Sequence, residues 1–244
     1  MNDFTKIQKM KNMIRFIGTG NAFSIKNNNS FDFQLFAKEN NLARFIYEIP
    51  MTTCKEFING VNNGINIKDD RYIIMISHLH EDHVGGLATF LQYLYFSLGI
   101  DIYNKDKLII ICPNKEEMKD YLRLTMGGNN LNKLNIIDHL VDIEELRDFK
   151  KVKIIPVLVN HVEGINSCGF ITKVDDIISF YYTGDCNNIP EEIRILFNNK
   201  KIDFMISELS DKPNSVHLDI SYFDKYFDAH DIENGRIIFT HLTD

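Results

Sequence analysis

The 244-residue chain contains no tryptophan and only five prolines. Its four cysteines, Cys54, Cys112, Cys168 and Cys186, are widely spaced and form no C-x-x-C pair. That excludes a disulfide framework and a structural zinc knuckle, and the thiols read as free small hydrophobes in a reducing compartment. No apolar run approaches the roughly 20 residues that span a bilayer. The opening residues, Met1-Asn2-Asp3-Phe4-Thr5-Lys6, lack the apolar core of a signal peptide. Together these absences lead to an expected cytoplasmic location with no membrane association. Positive charge is also short, with 27 basic residues against 34 acidic, a net charge of −7. Nucleic-acid binders draw affinity from a cationic face that displaces counterions, so extended nucleic acid is not expected as a partner.

What remains is ordinary globular composition, 44% apolar and 25% charged, which argues against disorder, collagen and coiled coil. No repeat, low-complexity tract or Pro/Ser-rich linker interrupts the chain, so residues 1–244 are expected to form one domain. Short β-branched runs recur, each closing on a polar or glycine-rich loop. They predict strands over 13–17, 72–76, 108–111, 153–159, 177–182, 204–206 and 237–239. Helical patterns lie between them over 87–98, 115–124, 189–197 and 220–227. Five strands end on a histidine, aspartate or glutamate, which places titratable groups on loops held by a rigid scaffold. The mixture predicts sheets covered by helices.

The strongest signal is Ser77-His78-Leu79-His80-Glu81-Asp82-His83, with four candidate ligands in six residues. Histidines at i and i+2 do not share a helix face, so a loop or extended segment is expected here. Imidazole with carboxylate suits zinc, and also manganese or iron. Three more residues follow strands in the same way: His161, Asp185 and His241. Alone, each would read as an ordinary loop-end polar residue. As a set they place five of the eight histidines in one scheme, leaving His139, His217 and His230.

The order H-x-H-x-D-H, then His, Asp and His, resembles the metallo-β-lactamase superfamily over nearly the whole chain. The likeness starts at Phe16-Ile17-Gly18-Thr19-Gly20-Asn21-Ala22, similar to the opening of the phosphodiesterase branch, and ends at Thr240-His241-Leu242. It implies an αββα sandwich with two divalent metal ions at one edge, zinc first and manganese or iron as alternatives. By the resemblance, His78, His80 and His161 hold one ion, and Asp82, His83 and His241 hold the second. Asp185 bridges them. Two ions roughly 3.5–4 Å apart clamp the attacking and leaving oxygens of an in-line displacement and supply hydroxide at neutral pH. Catalysis is assigned to Asp82, His217 and Glu208.

The choice of reaction rests on two positions. β-Lactam-cleaving relatives usually carry a cysteine where Asp185 stands, and Cys186 is out of register by one residue. Glyoxalase II and lactonases share the aspartate, so a thioester or lactone hydrolase stays open as an alternative. Ser207-Glu208-Leu209 followed by Val216-His217-Leu218 resembles the phosphodiesterase branch, including tRNase Z. There a glutamate after a strand and a histidine at the start of a helix sit beside the two metals. Such a histidine can protonate a leaving alkoxide, with the glutamate orienting it. The bland reading makes His217 a surface residue at a helix start. A tRNase Z-like endonuclease would carry a long basic arm between His161 and Asp185, where only residues 162–184 lie. A flavodiiron-like redox enzyme would usually need an added flavin domain, for which the chain has no room. The expected function is therefore hydrolysis of a small phosphodiester, a cyclic nucleotide. This is similar to the small cyclic-nucleotide phosphodiesterases of the superfamily, among them the anti-Pycsar enzymes that destroy cyclic mononucleotide immune signals.

Other positions carry a structural reading beside a functional one. Gly18, Gly20 and Asn21 form either a backbone approach to substrate phosphate or a plain tight turn. Phe90, Tyr93, Tyr95 and Phe96 read first as core, with a base-stacking lip as the functional reading, and the apolar face from Phe90 to Leu98 makes a homodimer the expected assembly. Glu48-Ile49-Pro50 replaces the aspartate-cysteine-glycine-like turn of many relatives, which leaves that loop undetermined.

Overall fold

In the strand Arg71–Met75, Ile73 and Met75 join one apolar cluster while Tyr72 and Ile74 join another. Successive side chains of a strand point to opposite faces, so this strand is covered on both. The strand Ile178–Tyr182 repeats the pattern, with Phe180 and Tyr182 in the first cluster and Tyr181 in a third. Near-continuous apolar runs are what a sheet buried on two faces requires.

The computed structural model describes residues 14–24, 27–36, 42–128, 130–144, 146, 151–175 and 177–242. Six strands form the first sheet: β1 (Ile14–Gly18), β2 (Ser30–Phe36), β3 (Leu42–Tyr47), β4 (Arg71–Met75), β5 (Leu108–Ile111) and β6 (Ile136–Ile137). Six form the second: β7 (Val141–Glu144), β8 (Lys151–Val159), β9 (Ser167–Val174), β10 (Ile178–Tyr182), β11 (Phe204–Glu208) and β12 (Ile237–Thr240). The strands follow chain order across each sheet. β1 to β3 and β7 to β10 run antiparallel, whereas β3 to β6 and β10 to β12 run parallel.

The first cluster draws Phe33, Phe45 and Met75 from one sheet and Phe170, Phe180 and Phe204 from the other, so it lies between them. Phe33 stacks on Phe45 at 4.5 Å and takes the edge of Phe180 at 5.9 Å, which interlocks the sheets. Removing such a ring typically costs about 3–5 kcal/mol. The outer face of the first sheet is covered by helices Met51–Asn62, Leu87–Gln92 and Lys115–Met126. Helices Glu191–Asn198 and Ile220–Tyr226 cover the second. The result is the αββα sandwich of the metallo-β-lactamase fold. No helix among the described residues is long and apolar enough to cross a membrane.

The seven expected strands correspond to β1, β4, β5, β8, β10, β11 and β12. Met13 lies outside the described residues, and Ile177 sits in the turn before β10. The helix expected over 87–98 is α-helical only to Gln92 and continues as a π-helical turn, Tyr93–Ser97. Of its aromatic stripe, Phe90 is buried and Tyr93 partly so, while Tyr95 and Phe96 reach solvent. Phe90 is thus core, packed against Phe57 and Tyr72. All four cysteines are free and buried.

Candidate metal centre

The loop after β4 carries His78 and His80 in extended backbone, as expected. Asp82 and His83, however, sit on a single helical turn, Glu81–Val84. This differs from the loop or extended segment expected for the whole run. The turn forms because the His83 and Val84 N–H groups both donate to the His80 carbonyl, at 3.0 Å each. Gly85-Gly86 then leads into the next helix. The Ile49 N–H donates to the His83 carbonyl at 2.7 Å, and the Gly86 N–H to the Ile49 carbonyl at 2.8 Å. A Cβ on Gly86 would lie 2.5 Å from the Pro50 carbonyl oxygen, so only glycine permits this approach.

His161 follows β8, and its Nδ1 donates to the Val216 carbonyl at 2.9 Å, which turns Nε2 toward His80. Asp185 follows β10 through Gly184, whose φ is +58°. A Cβ there would meet the Ser77 Cβ at 2.7 Å. His241 follows β12 and itself adopts φ +59°, a conformation that non-glycine residues hold mostly where the surroundings dictate it.

Two donor sets result. In the first, His78 Nε2 lies 2.9 Å from His80 Nδ1, and His161 Nε2 lies 3.4 Å from the same atom. In the second, His83 Nε2 and His241 Nε2 lie 3.3 and 3.2 Å from Asp82 Oδ2. Asp185 Oδ2 stands between the sets, 3.4 Å from His83, 3.3 Å from His241 and 4.0 Å from His161. Ligands about 2.0–2.1 Å from a tetrahedral ion are about 3.3–3.4 Å apart, which is close to these separations. Both ring nitrogens of His83 and Asp185 Oδ1 are buried with no hydrogen-bond partner. Buried polar atoms without partners are rare, and two of these belong to groups that meet at the centre, with His83 Nε2 3.4 Å from the Asp185 carboxylate. The residues fit a divalent metal centre.

Electrostatics divide the sets. Burial lowers the pKa of His78, His80 and His161, so these imidazoles are neutral near neutral pH. For His83 burial is overridden by Asp185 and Glu48, which raise it well above its ordinary value. Asp82 and Asp185 are held well below the carboxylate range against burial, Asp82 by hydrogen bonds from His241 and His83, Asp185 by the charges of His241 and His83.

Glu208, the last residue of β11, is buried and accepts from the Cys186 N–H at 2.5 Å and the Leu218 N–H at 3.4 Å. His217 Nδ1 lies 2.5 Å from Glu208 Oε2 and 3.7 Å from Asp185 Oδ2. Burial and the neighbouring Asp185 charge raise the Glu208 pKa. His217 does not start a helix as expected. The helix begins at Ile220 behind an Asp219 cap, and Asn214 Oδ1 holds the His217 loop by accepting from the Val216 and His217 N–H groups. Cys186 points away from the donors into the outer helical layer with Ile189 and Ile193.

Glu48 is the residue whose part the sequence left open. It is fully buried at φ +61°, accepts the Ser77 N–H on its carboxylate at 3.2 Å, and lies 3.5 Å from His83 Nδ1. The signal was its position, a carboxylate directly after β3 where relatives carry aspartate.

A cavity of about 510 Å³ opens over the centre. His80, Asp82, His161, Asp185, His217 and His241 reach it, and the loops 21–23 and 210–216 form its rim. Asn21 lines it and Gly20 does not. The Gly20 and Asn21 N–H groups are already donated, to the carbonyls of Asn27 and Leu242 at 3.0 Å each. The loop is thus a bonded turn in which these two amides are already used. His139 and His230 are exposed and belong to neither donor set.

A sequence model of the family described as Anti-Pycsar protein Apyc1 matches residues 12–240. The Anti-Pycsar protein Apyc1 of Paenibacillus harenae is 27% identical over 180 residues, covering 70% of this chain and 66% of that protein, just under two thirds of its length. Among solved structures, the short form of human tRNase Z superposes with a TM-score of 0.61 at 16% identity, covering 95% of this chain and 93% of the other. A long-form RNase Z from yeast gives 0.61 at 17%, covering 95% of this chain and 37% of the other. An isothiocyanate hydrolase from Delia radicum gut bacteria gives 0.52 at 12%, covering 94% and 85%. These structural likenesses show the shared fold.

Proposed function

We propose that this chain, which belongs to the Anti-Pycsar protein Apyc1 family, is a metal-dependent hydrolase, a two-metal phosphodiesterase acting on a cyclic nucleotide, the activity that would remove a cyclic nucleotide immune signal. His78, His80 and His161 would hold one ion, Asp82, His83 and His241 the other, and Asp185 both; zinc suits the imidazole-rich set best. When bound, two such ions clamp the attacking and leaving oxygens of an in-line displacement and supply the nucleophile at neutral pH.

The observation that carries the reading is the His217–Glu208 pair beside Asp185. With Nδ1 held by Glu208, the Nε2 edge of His217 is left for substrate. The oxygen of a water that has given up a proton to solvent bonds to phosphorus, the bond from phosphorus to a ribose oxygen breaks, and His217 gives its proton to the leaving ribose oxygen and regains one from solvent. A ribose alkoxide is a poor leaving group and needs the proton, whereas an acyl hydrolase expelling a thiolate does not. Glu208 fixes the ring through its contact with Nδ1. The residues between His161 and Asp185 are taken up by β9 and β10 and leave no arm for an extended RNA.

A hydrolysis panel tests this: cyclic mononucleotides, cyclic dinucleotides, bis(p-nitrophenyl) phosphate, a pre-tRNA, an acyl-homoserine lactone and a cephalosporin. Cyclic mononucleotides should turn over fastest. His217→Ala should cost roughly 10²–10⁴-fold on them, much less on the aryl diester, and no metal. Preferential turnover of the lactone or the pre-tRNA overturns the proposal. The homodimer belongs to the same reading, supported by Phe96, 78% exposed beside Tyr95; light scattering should give twice the chain mass.

A further inference from the structure

Phe23 is 89% exposed, yet it is not on a free-hanging loop. Its N–H donates to Asn21 Oδ1 at 2.9 Å, and the Ser24 N–H donates to the Asn21 carbonyl at 3.0 Å. Asn28 Nδ2 donates to that same carbonyl at 2.8 Å. The turn is fastened to the segment that carries His241. The Asn21 N–H donates to the Leu242 carbonyl at 3.0 Å, and the Leu242 N–H to the Thr19 carbonyl at 2.7 Å. The backbone of Phe23 is thereby anchored at the rim of the cavity, which its side chain lines.

A phenyl ring exposed in this way gains nothing for the fold, and water around it is unfavourable. Within the cavity lining, the other apolar side chains are Ala22, Val162 and Val216, and no other carbocyclic ring is present among the described residues. The polar rim is largely spoken for. Asn214 Nδ2 donates to Ser210 Oγ at 2.9 Å, and Asn214 Oδ1 accepts from the His217 loop. A ligand whose phosphoryl group sits at the donor sets therefore meets one apolar planar surface on the way out, the Phe23 ring.

Building on the phosphodiesterase reading, we propose that Phe23 is a specificity-determining residue that stacks on a planar aromatic group attached to the substrate's sugar, a nucleobase. Stacking needs only a π-face, so the contact discriminates a base-bearing substrate from a baseless one and tolerates either class of base.

The test compares adenosine 3′,5′-cyclic phosphate with methyl ribofuranoside 3′,5′-cyclic phosphate, which has the same phosphodiester and no base. Phe23→Ala should raise KM for the first by roughly 5- to 150-fold, the range that base–aromatic stacking spans. It should leave kcat, metal content and KM for the baseless substrate near wild type. Phe23→Tyr should restore the preference. Equal effects on both substrates, or none, overturn the proposal. Calorimetric binding of AMP against ribose 5-phosphate reads the same contact without turnover. If the wild type hydrolyses neither cyclic phosphate, the phosphodiesterase reading fails, and the AMP arm still decides Phe23. AMP binding weakened by Phe23→Ala keeps the stacking role, and unchanged binding removes it.

Discussion

Two donor sets a few ångström apart are built from opposite chemistry. His78, His80 and His161 form an all-imidazole set whose rings burial keeps neutral. Asp82, His83 and His241 form a mixed set in which carboxylates surround the imidazoles, with Glu48 behind His83. The difference teaches that one fold edge can offer a softer and a harder position side by side. Imidazole suits zinc, while added carboxylate widens the choice toward manganese. Asp185 is the element they share, and breaking it should have the largest effect. Asp185→Asn keeps the volume and removes the charge that faces both sets. Activity should fall by orders of magnitude and metal should be lost from both positions, with the fold retained by circular dichroism. Loss of one equivalent alone, read by elemental analysis, would confine Asp185 to one set.

Both sets were largely legible in the sequence because His78, His161, Asp185 and His241 each follow a strand whose apolar run announces them. β4 ends before His78, β8 before His161, β10 before Asp185 and β12 before His241. The one-residue distinction between Asp185 and Cys186 could also be read, since neighbours on an extended chain face opposite ways. The helical turn under Asp82 and His83 could not. It rests on the Glu48–Pro50 segment hydrogen-bonding to this loop, a contact distant in sequence. Nor was the helix over Met51–Asn62 anticipated, since its buried residues are only Thr53, Cys54 and Phe57. β2 was legible and passed over. Its Phe31, Phe33 and Leu35 alternate with polar residues in the manner of a strand with one buried apolar face.

Glu48 sharpens the contrast, because it touches the mixed set and not the imidazole set. Its carboxylate lies 3.5 Å from His83 Nδ1, and its charge favours the ring orientation that presents Nε2 to the centre. Outer carboxylates of this kind are typically worth 10–100-fold in metal affinity. Glu48→Gln should weaken the second metal equivalent by that factor and leave the first near wild type, as read by competition with a chromophoric chelator. Equal weakening of both would make Glu48 a support for the whole loop, through its bond to the Ser77 N–H, rather than for one ring.

The smallest effect expected is one of pH, and it follows from the same asymmetry. A metal ligand must be deprotonated, so an ion displaces any proton its site carries. In the imidazole set the folded pKa values lie below those of a free histidine, and near neutral pH there is no proton to displace. In the mixed set His83 is raised well above that value by Asp185 and Glu48, so the metal-free site holds a proton there. The sign is therefore fixed. Affinity for the second ion should rise with pH, about tenfold per unit while one proton is released per ion. Affinity for the first ion should stay nearly flat over the same window and fall only once the pH drops below the lowered histidine values. Metal titrations at pH 6, 7 and 8, with proton release measured in buffers of different ionisation enthalpy, read both slopes. Parallel slopes for the two equivalents would mean that the sets titrate as one unit, and would dissolve the distinction drawn between them.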